Sequence, residues 1–265
     1  VIVEYHRPAK LEEALDLLSR SHPLTLPLGG GTVLNTSDST RSRDFAVVDL
    51  QSLGLDQILR SNELIQVGAM VRLQRLLDEP GLPKGLYHAL VQETARNIRE
   101  AATVAGRLVS ANGRSALATA LLGLDAKLVV YQKTNDAYVS NEIGLGDFLP
   151  LRNVVETPHV APLSGVLITQ VLLPVKPSLS YHSVSRTPAD LPIVCAAVAR
   201  WASGRTRVAL GGYGELPLLV MDGPEPEGAE IAARNAFAQA GDQWASAAYR
   251  SEIAGILVKR CLEEG

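Results

Sequence analysis

The feature that most constrains the fold is Leu26-Pro27-Leu28-Gly29-Gly30-Gly31-Thr32-Val33-Leu34, a short apolar run that meets three consecutive glycines. A strand over residues 24–28 that stops at Gly29 has to turn. Residues without a Cβ let the backbone turn sharply and come close to a neighbour or a ligand. Successive amides in such a turn can converge on an anion such as a pyrophosphate, and the Thr32 hydroxyl adds a donor at the edge. The same glycines suit a plain tight turn equally well. The segment is neither a Walker loop, since no Lys-Ser/Thr pair follows it, nor a Gly-x-Gly-x-x-Gly fingerprint.

A second small-residue segment runs Ile98-Arg99-Glu100-Ala101-Ala102-Thr103-Val104-Ala105-Gly106-Arg107-Leu108. Small residues permit close approach of a planar or phosphate group, but residue type alone favours a tightly packed core turn. Around these segments the apolar pattern predicts alternating elements. Pro8 opens a helix with Leu11, Ala14, Leu15 and Leu18 on one face. Buried strands are expected over residues 45–50, 64–69, 127–131 and 165–173, and helices over 73–78, 86–95 and 117–124. Pro174-Val175-Lys176-Pro177 reads as extended linker backbone. Beyond it, strands over 180–185 and 192–201, a Ser203-Gly204 hairpin turn into 207–210, and helices over 227–240 and 245–263 complete the chain. In the last helix Tyr249, Ile253, Ile256, Leu257 and Cys261 are expected to share one face.

Composition narrows the function classes. A net charge of -3 with no Lys/Arg run points away from nucleic acid and anionic membranes. The most apolar stretch, from His159 to Val175, is shorter than a membrane span and is broken by Pro162, Gly165 and Gln170. The N-terminal residues lack the apolar core of a signal peptide. A soluble, cytoplasmic protein of a reducing compartment is expected. The two cysteines, Cys195 and Cys261, lie in apolar surroundings and read as buried free thiols. They are too few for an iron–sulfur cluster, which takes about four ligands. The histidines at positions 6, 22, 88, 159 and 182 show no metal spacing. No Ser/His/Asp set can be assembled, and Asp125 reads as a capping or turn residue.

The order of the motifs carries more than any one of them. Gly29 to Leu34 is followed by Gly68-Ala69 with Leu76, then Ile98 to Arg107, then Leu121-Leu122-Gly123-Leu124-Asp125-Ala126, then Tyr181 to Arg186 with Asp190 and Val194. This series resembles the FAD-binding medium subunit of the molybdenum hydroxylases, as in carbon monoxide dehydrogenase and the flavin domain of xanthine dehydrogenase. The resemblance implies an α+β fold: a two-subdomain FAD-binding fold of the vanillyl-alcohol-oxidase/p-cresol-methylhydroxylase type, plus a C-terminal antiparallel-sheet-and-helix domain. Domains are then expected over residues 1–175, split near 55–60, and 178–265.

The resemblance also implies an oxidoreductase subunit with non-covalent FAD. Electrons would come from [2Fe-2S] clusters on a small partner subunit, fed by a molybdenum cofactor on a large partner subunit, and would leave to an external acceptor. No catalytic residue and no metal ligand are expected on this chain. Gly29, Gly30, Gly31 and Thr32 on one side, and Ala105 and Gly106 on the other, are expected at the pyrophosphate, with Leu28 and Thr103 also among the cofactor-binding residues. Val33, Leu34, Gly68, Asn112, Leu167 and Ile168 would line the rest of the cofactor, with Tyr181 and His182 at the isoalloxazine edge. The chain departs from the family pattern at Val33, Ala105, Arg107, Ala116, Thr187 and His182. Ala105 would be strained if its backbone required positive φ. Arg107 is open to two roles, forked hydrogen bonds to a pyrophosphate or simple occupancy of space. The alternative is a scaffold subunit that has lost tight FAD binding.

Overall fold

The computed structural model describes residues 1–34, 44–134, 137–151 and 165–264; His159 and Pro162 lie outside them. Strands β1 (Ile2–His6), β2 (Thr25–Leu28) and β3 (Phe45–Asp49) form a parallel sheet in the order β1-β3-β2. Every residue of β3 is buried, as befits a continuous apolar run at the centre of a parallel sheet. Helix α1 (Leu11–Ser19) lays Ala14, Leu15 and Leu18 against Val48 and Leu50, the face its spacing predicts.

The middle of the chain builds an antiparallel sheet from β4 (Ile58–Arg60), β5 (Leu64–Gly68), β6 (Lys127–Thr134), β7 (Ala137–Gly144) and β8 (Val166–Pro174), in the order β4-β5-β8-β6-β7. Helices α2 (Leu73–Leu77), α3 (Lys84–Glu93), α4 (Arg96–Arg99), α5 (Val104–Val109) and α6 (Ala116–Gly123) lie between β5 and β6, and α7 (Leu145–Leu151) follows β7. All eight residues of α6 are buried, so this helix is apolar all round and has to be covered on every side.

The cover comes from the C-terminal layer. Strands β9 (Ser178–Val184), β10 (Val194–Arg200), β11 (Thr206–Gly211) and β12 (Leu218–Gly223) form an antiparallel sheet in the order β12-β11-β10-β9. Cys195, Ala197, Ala199 and Ala209 share one core with Leu117, Leu121 and Leu122 of α6. Small side chains on the sheet let the helix approach: a Cβ added to Gly123 would lie 3.2 Å from Ala197 O. Val194, Ala196, Val198, Val208 and Leu210 face the other way, onto α8 (Ala229–Ala236) and α9 (Ala247–Glu264).

Residues 174–177 connect β8 to β9, with Val175 N donating to Glu63 O at 3.0 Å. Two expectations change. Helix α8 is shorter than the expected 227–240. Helix α9 buries Arg250, Ala254, Leu257, Val258 and Cys261, while Tyr249 is exposed. The face is rotated by one residue because Arg250 is drawn inside by Asp242, at 2.9 Å, and by Ala240 O, at 3.0 Å. Its guanidinium also stacks 5.0 Å from the Tyr213 ring centroid. Both cysteines are buried and unpaired by disulfide.

Candidate functional site

A cavity of about 810 Å³ opens where the glycine turn after β2, the start of α5 and strand β8 meet. That is a size typical of small-molecule and cofactor sites. Among the expected residues, Gly29, Gly30, Gly31, Thr32, Val33, Leu34, Thr103, Ala105, Gly106, Asn112, Leu167 and Ile168 all line it. Leu18, Leu26, Leu50, Met70, Val109 and Val166 extend the apolar wall, and Thr25, Ser110 and Glu215 add polar groups. Ser110 and Ala111 adjoin Asn112 and could have been found by continuing the second segment. Glu215 sits in a loop before β12 with no local sequence signal.

The glycines have separate reasons to be there. A Cβ on Gly30 would stand 1.9 Å from Ala101 O, and one on Gly29 would stand 2.9 Å from Thr103 Oγ1. The glycine turn and the turn before α5 therefore touch backbone to backbone. Gly31 has φ +68°, a conformation that costs other residues about 1–2 kcal/mol. Among the described residues, the amides of Gly29, Gly30 and Gly31 donate to no acceptor, although they line the cavity. Glu215 is the sole charged residue among the described lining residues. Among the described residues, an anion bound here would be met by backbone amides.

The opposite wall differs from expectation. Ala105 is the second residue of α5 and has no positive φ, so the anticipated strain does not arise. Its amide donates to Ala69 O at 3.2 Å, and the Gly106 amide donates to Thr103 Oγ1 at 3.2 Å. These two amides are engaged within the protein, because Thr103 is the N-cap of α5 and satisfies the first turn itself. The Arg107 side chain turns to the end of α3. Its Nε and Nη2 donate to Glu93 Oε1 at 2.9 and 2.5 Å, and it does not line the cavity.

The remaining expected residues lie outside the lining. Leu28 pairs with Asp49 at the end of β2. Gly68 makes room for the chain entering β4: a Cβ there would be 2.2 Å from Leu55 O. Tyr181 is buried in the main core, where desolvation holds its phenol well above the usual range. The next residue on β9, His182, points the other way, as strand alternation requires, and its Nε2 lies 3.1 Å from Glu264 Oε1 at the end of α9. Among the described residues, no group of acidic, histidine or cysteine side chains could hold a metal ion. Nor is any helix there long and apolar enough to cross a membrane.

Residues 2–176 match the family described as the FAD binding domain in molybdopterin dehydrogenase. The chain belongs to that family. The protein YgfM of Escherichia coli (strain K12), described as uncharacterized, is 30% identical over 262 residues, which cover 97% of this chain and 94% of its own. The nicotine 6-hydroxylase medium subunit of Paenarthrobacter nicotinovorans is 24% identical over 286 residues, covering 99% and 96%. A solved carbon monoxide dehydrogenase from Hydrogenophaga pseudoflava superposes with a TM-score of 0.79 at 19% identity, covering 99% of this chain and 96% of that one. The fold is thus the one the resemblance implied. The family is one of oxidoreductases with FAD as its cofactor, and the cavity suits that group: apolar walls for flat rings, and amides with no acceptor among the described residues for a diphosphate.

Proposed function

We propose that this chain is the flavin electron-transfer medium subunit of a heteromeric molybdenum hydroxylase, with FAD held non-covalently in the large cavity. Bound FAD supplies a centre that exchanges electrons singly or in pairs, and the protein positions and tunes it. Gly29, Gly30 and Gly31 would offer their amides to the diphosphate, with Thr32 beside them. The side chains of Leu18, Leu26, Leu50, Met70, Leu167 and Ile168 would pack against the flat rings and keep water from them. The single observation carrying this reading is the run of three amides without an acceptor among the described residues, set in the wall of a cavity of this size.

The electron donors lie on other chains in this reading. In this reading the [2Fe-2S] clusters sit on an iron–sulfur small subunit and the molybdenum cofactor on a large subunit, and the final acceptor is external; the two buried cysteines here are too few to hold such a cluster. The relative from Paenarthrobacter nicotinovorans is itself named a medium subunit. A second reading, a scaffold that has lost tight FAD binding, draws on the opposite wall. There the Ala105 and Gly106 amides and the Arg107 guanidinium are already engaged, which leaves the glycine turn as the main source of donors.

The test is the visible absorption spectrum of the chain purified from its own host, before and after FAD is added. Flavin bands at near-stoichiometric FAD are expected. A colourless chain whose melting temperature does not rise in excess FAD, where mass action stabilises any binder, overturns the flavin reading. Co-purification with its partners would then leave the scaffold reading standing.

A further inference from the structure

Glu93, the last residue of α3, has a side chain with no exposed surface. Burying a carboxylate is costly unless it is paired and hydrogen-bonded, and this one is both. Arg107 Nε and Nη2 donate to Oε1 at 2.9 and 2.5 Å. Ser115 Oγ donates to Oε2 at 3.0 Å, and Leu117 N donates to the same oxygen at 2.8 Å. The donors arrive from two places, Arg107 from α5 and the other two from the first turn of α6. Ser115 also caps α6, accepting from Ala118 N at 3.1 Å, and its own amide donates to Asn112 O at 2.9 Å.

Between these two anchors lies part of the cavity wall. Val109, Ser110, Ala111 and Asn112 line the cavity there, with Ala105 and Gly106 just ahead of Arg107, whereas α3 contributes no lining residue. Glu93 therefore touches neither the cavity nor solvent, yet it holds both ends of the span that forms one wall. A buried ion pair adds little stability over well-packed apolar residues of similar volume, so net stability does not account for it. What the pair supplies is geometry: it fixes α5 and the Asn112 turn relative to each other and to α3.

We infer that Glu93 is a positioning residue for the flavin site, clamping residues 105–112 in place through Arg107 on one side and Ser115 and Leu117 on the other. This rests on the reading that the cavity holds FAD. Arg107 then acts through Glu93 and not on the diphosphate, and its departure from the family pattern has its counterpart in a buried carboxylate rather than in the cofactor.

The experiment uses the full chain and measures FAD affinity by quenching of flavin fluorescence, alongside hydrogen exchange read by mass spectrometry. Glu93→Gln keeps the shape and strands the Arg107 charge. It should weaken FAD binding by about tenfold, or about 1.4 kcal/mol, and speed exchange within residues 105–117 while leaving α1 unchanged. Adding Arg107→Gln removes the stranded charge but not the loss of the clamp, so the double variant should regain melting temperature while affinity stays weakened and exchange stays fast. A Glu93→Gln chain that binds FAD like wild type, even with a lower melting temperature, shows a merely structural role and overturns the inference. So does a double variant whose affinity returns to wild type, because the stranded charge alone would then account for the loss. If Glu93→Gln does not fold, Ser115→Ala carries the test: it removes one anchor and leaves the ion pair, so unchanged affinity together with unchanged exchange in residues 105–117 is again the overturning result. A wild-type chain that takes up no FAD in the same titration overturns the flavin reading itself, and this inference with it.

Discussion

Replacing Gly30 with alanine asks whether the two loops must touch for the cavity to work. The added Cβ would sit 1.9 Å from Ala101 O, 2.7 Å from Ala101 C and 3.0 Å from Ala102 Cα. All three are backbone atoms, so no side chain can swing aside to relieve the clash. Ordinary contact begins near 3.4 Å, and the glycine turn must move away from the turn before α5 by the difference. Forcing a methyl group into a packed site costs about 1–3 kcal/mol. If closing the loops around FAD has to work against that strain, the Kd rises about five- to 150-fold, at about 1.4 kcal/mol per factor of ten. Fluorescence-quench titration with FAD measures it, with thermal denaturation of the FAD-free chain in parallel. Gly228→Ala is the control. Gly228 has φ +78° with open space around its Cβ position and begins α8, away from the cavity lining, so it should lose about 1 kcal/mol of stability at unchanged FAD affinity. The reasoning fails if Gly30→Ala titrates like wild type, or if Gly228→Ala weakens FAD as much.

Further expectations follow from the core and its ion pairs. Burial pushes the Cys195 thiol up to about 11 and the Cys261 thiol up to about 12, so a chromogenic thiol reagent at neutral pH should find no fast-reacting cysteine until denaturant is added; one fast native thiol contradicts this. Arg250→Met leaves Asp242 without its partner and should lower the unfolding free energy by about 3 kcal/mol, the lower end for a broken buried pair because Asp242 keeps some exposure; an unchanged urea midpoint contradicts it. Arg205, with Arg207 beside it, holds the Asp222 carboxyl below its ordinary value of 3.8. Because the folded value is the lower one, the stability this gives is present above about pH 4 and is lost as pH falls through the folded value. Asp222→Asn should therefore be less stable than wild type at neutral pH, and the two denaturation midpoints should converge in acid; parallel curves would refute it.

Much of the fold was legible because burial leaves a period. Strand β3 reads as a continuous apolar run and α1 as a stripe, and both sit where those patterns put them. Elements with weak burial left little trace. Strand β1 is largely exposed, β7 has no fully buried residue, and α5 is a six-residue helix in which Val104 and Leu108 alone are buried, too short for a period to show. At the site, the glycine turn and the Thr103 segment could be picked out because close backbone contact demands small residues locally. The Glu93–Arg107 pair could not, since its members sit 14 residues apart on different helices and each looks like an ordinary surface charge. Tyr181 and His182 fit a motif by order, but the strand that carries them places one in the core and the other against α9, a matter of register that motif spacing does not encode.

Helix α6 also sets a timetable. It is complete at Gly123, but the strands that shield its far side begin at Val194. At the usual pace of synthesis, about 5–20 residues per second, the ribosome needs roughly 4–14 s to reach the first of them. For that interval a helix with no polar face waits on a growing chain. Slow codons or cold shock would lengthen the wait, and a holding chaperone bound to the nascent chain would be most useful between those two points of elongation.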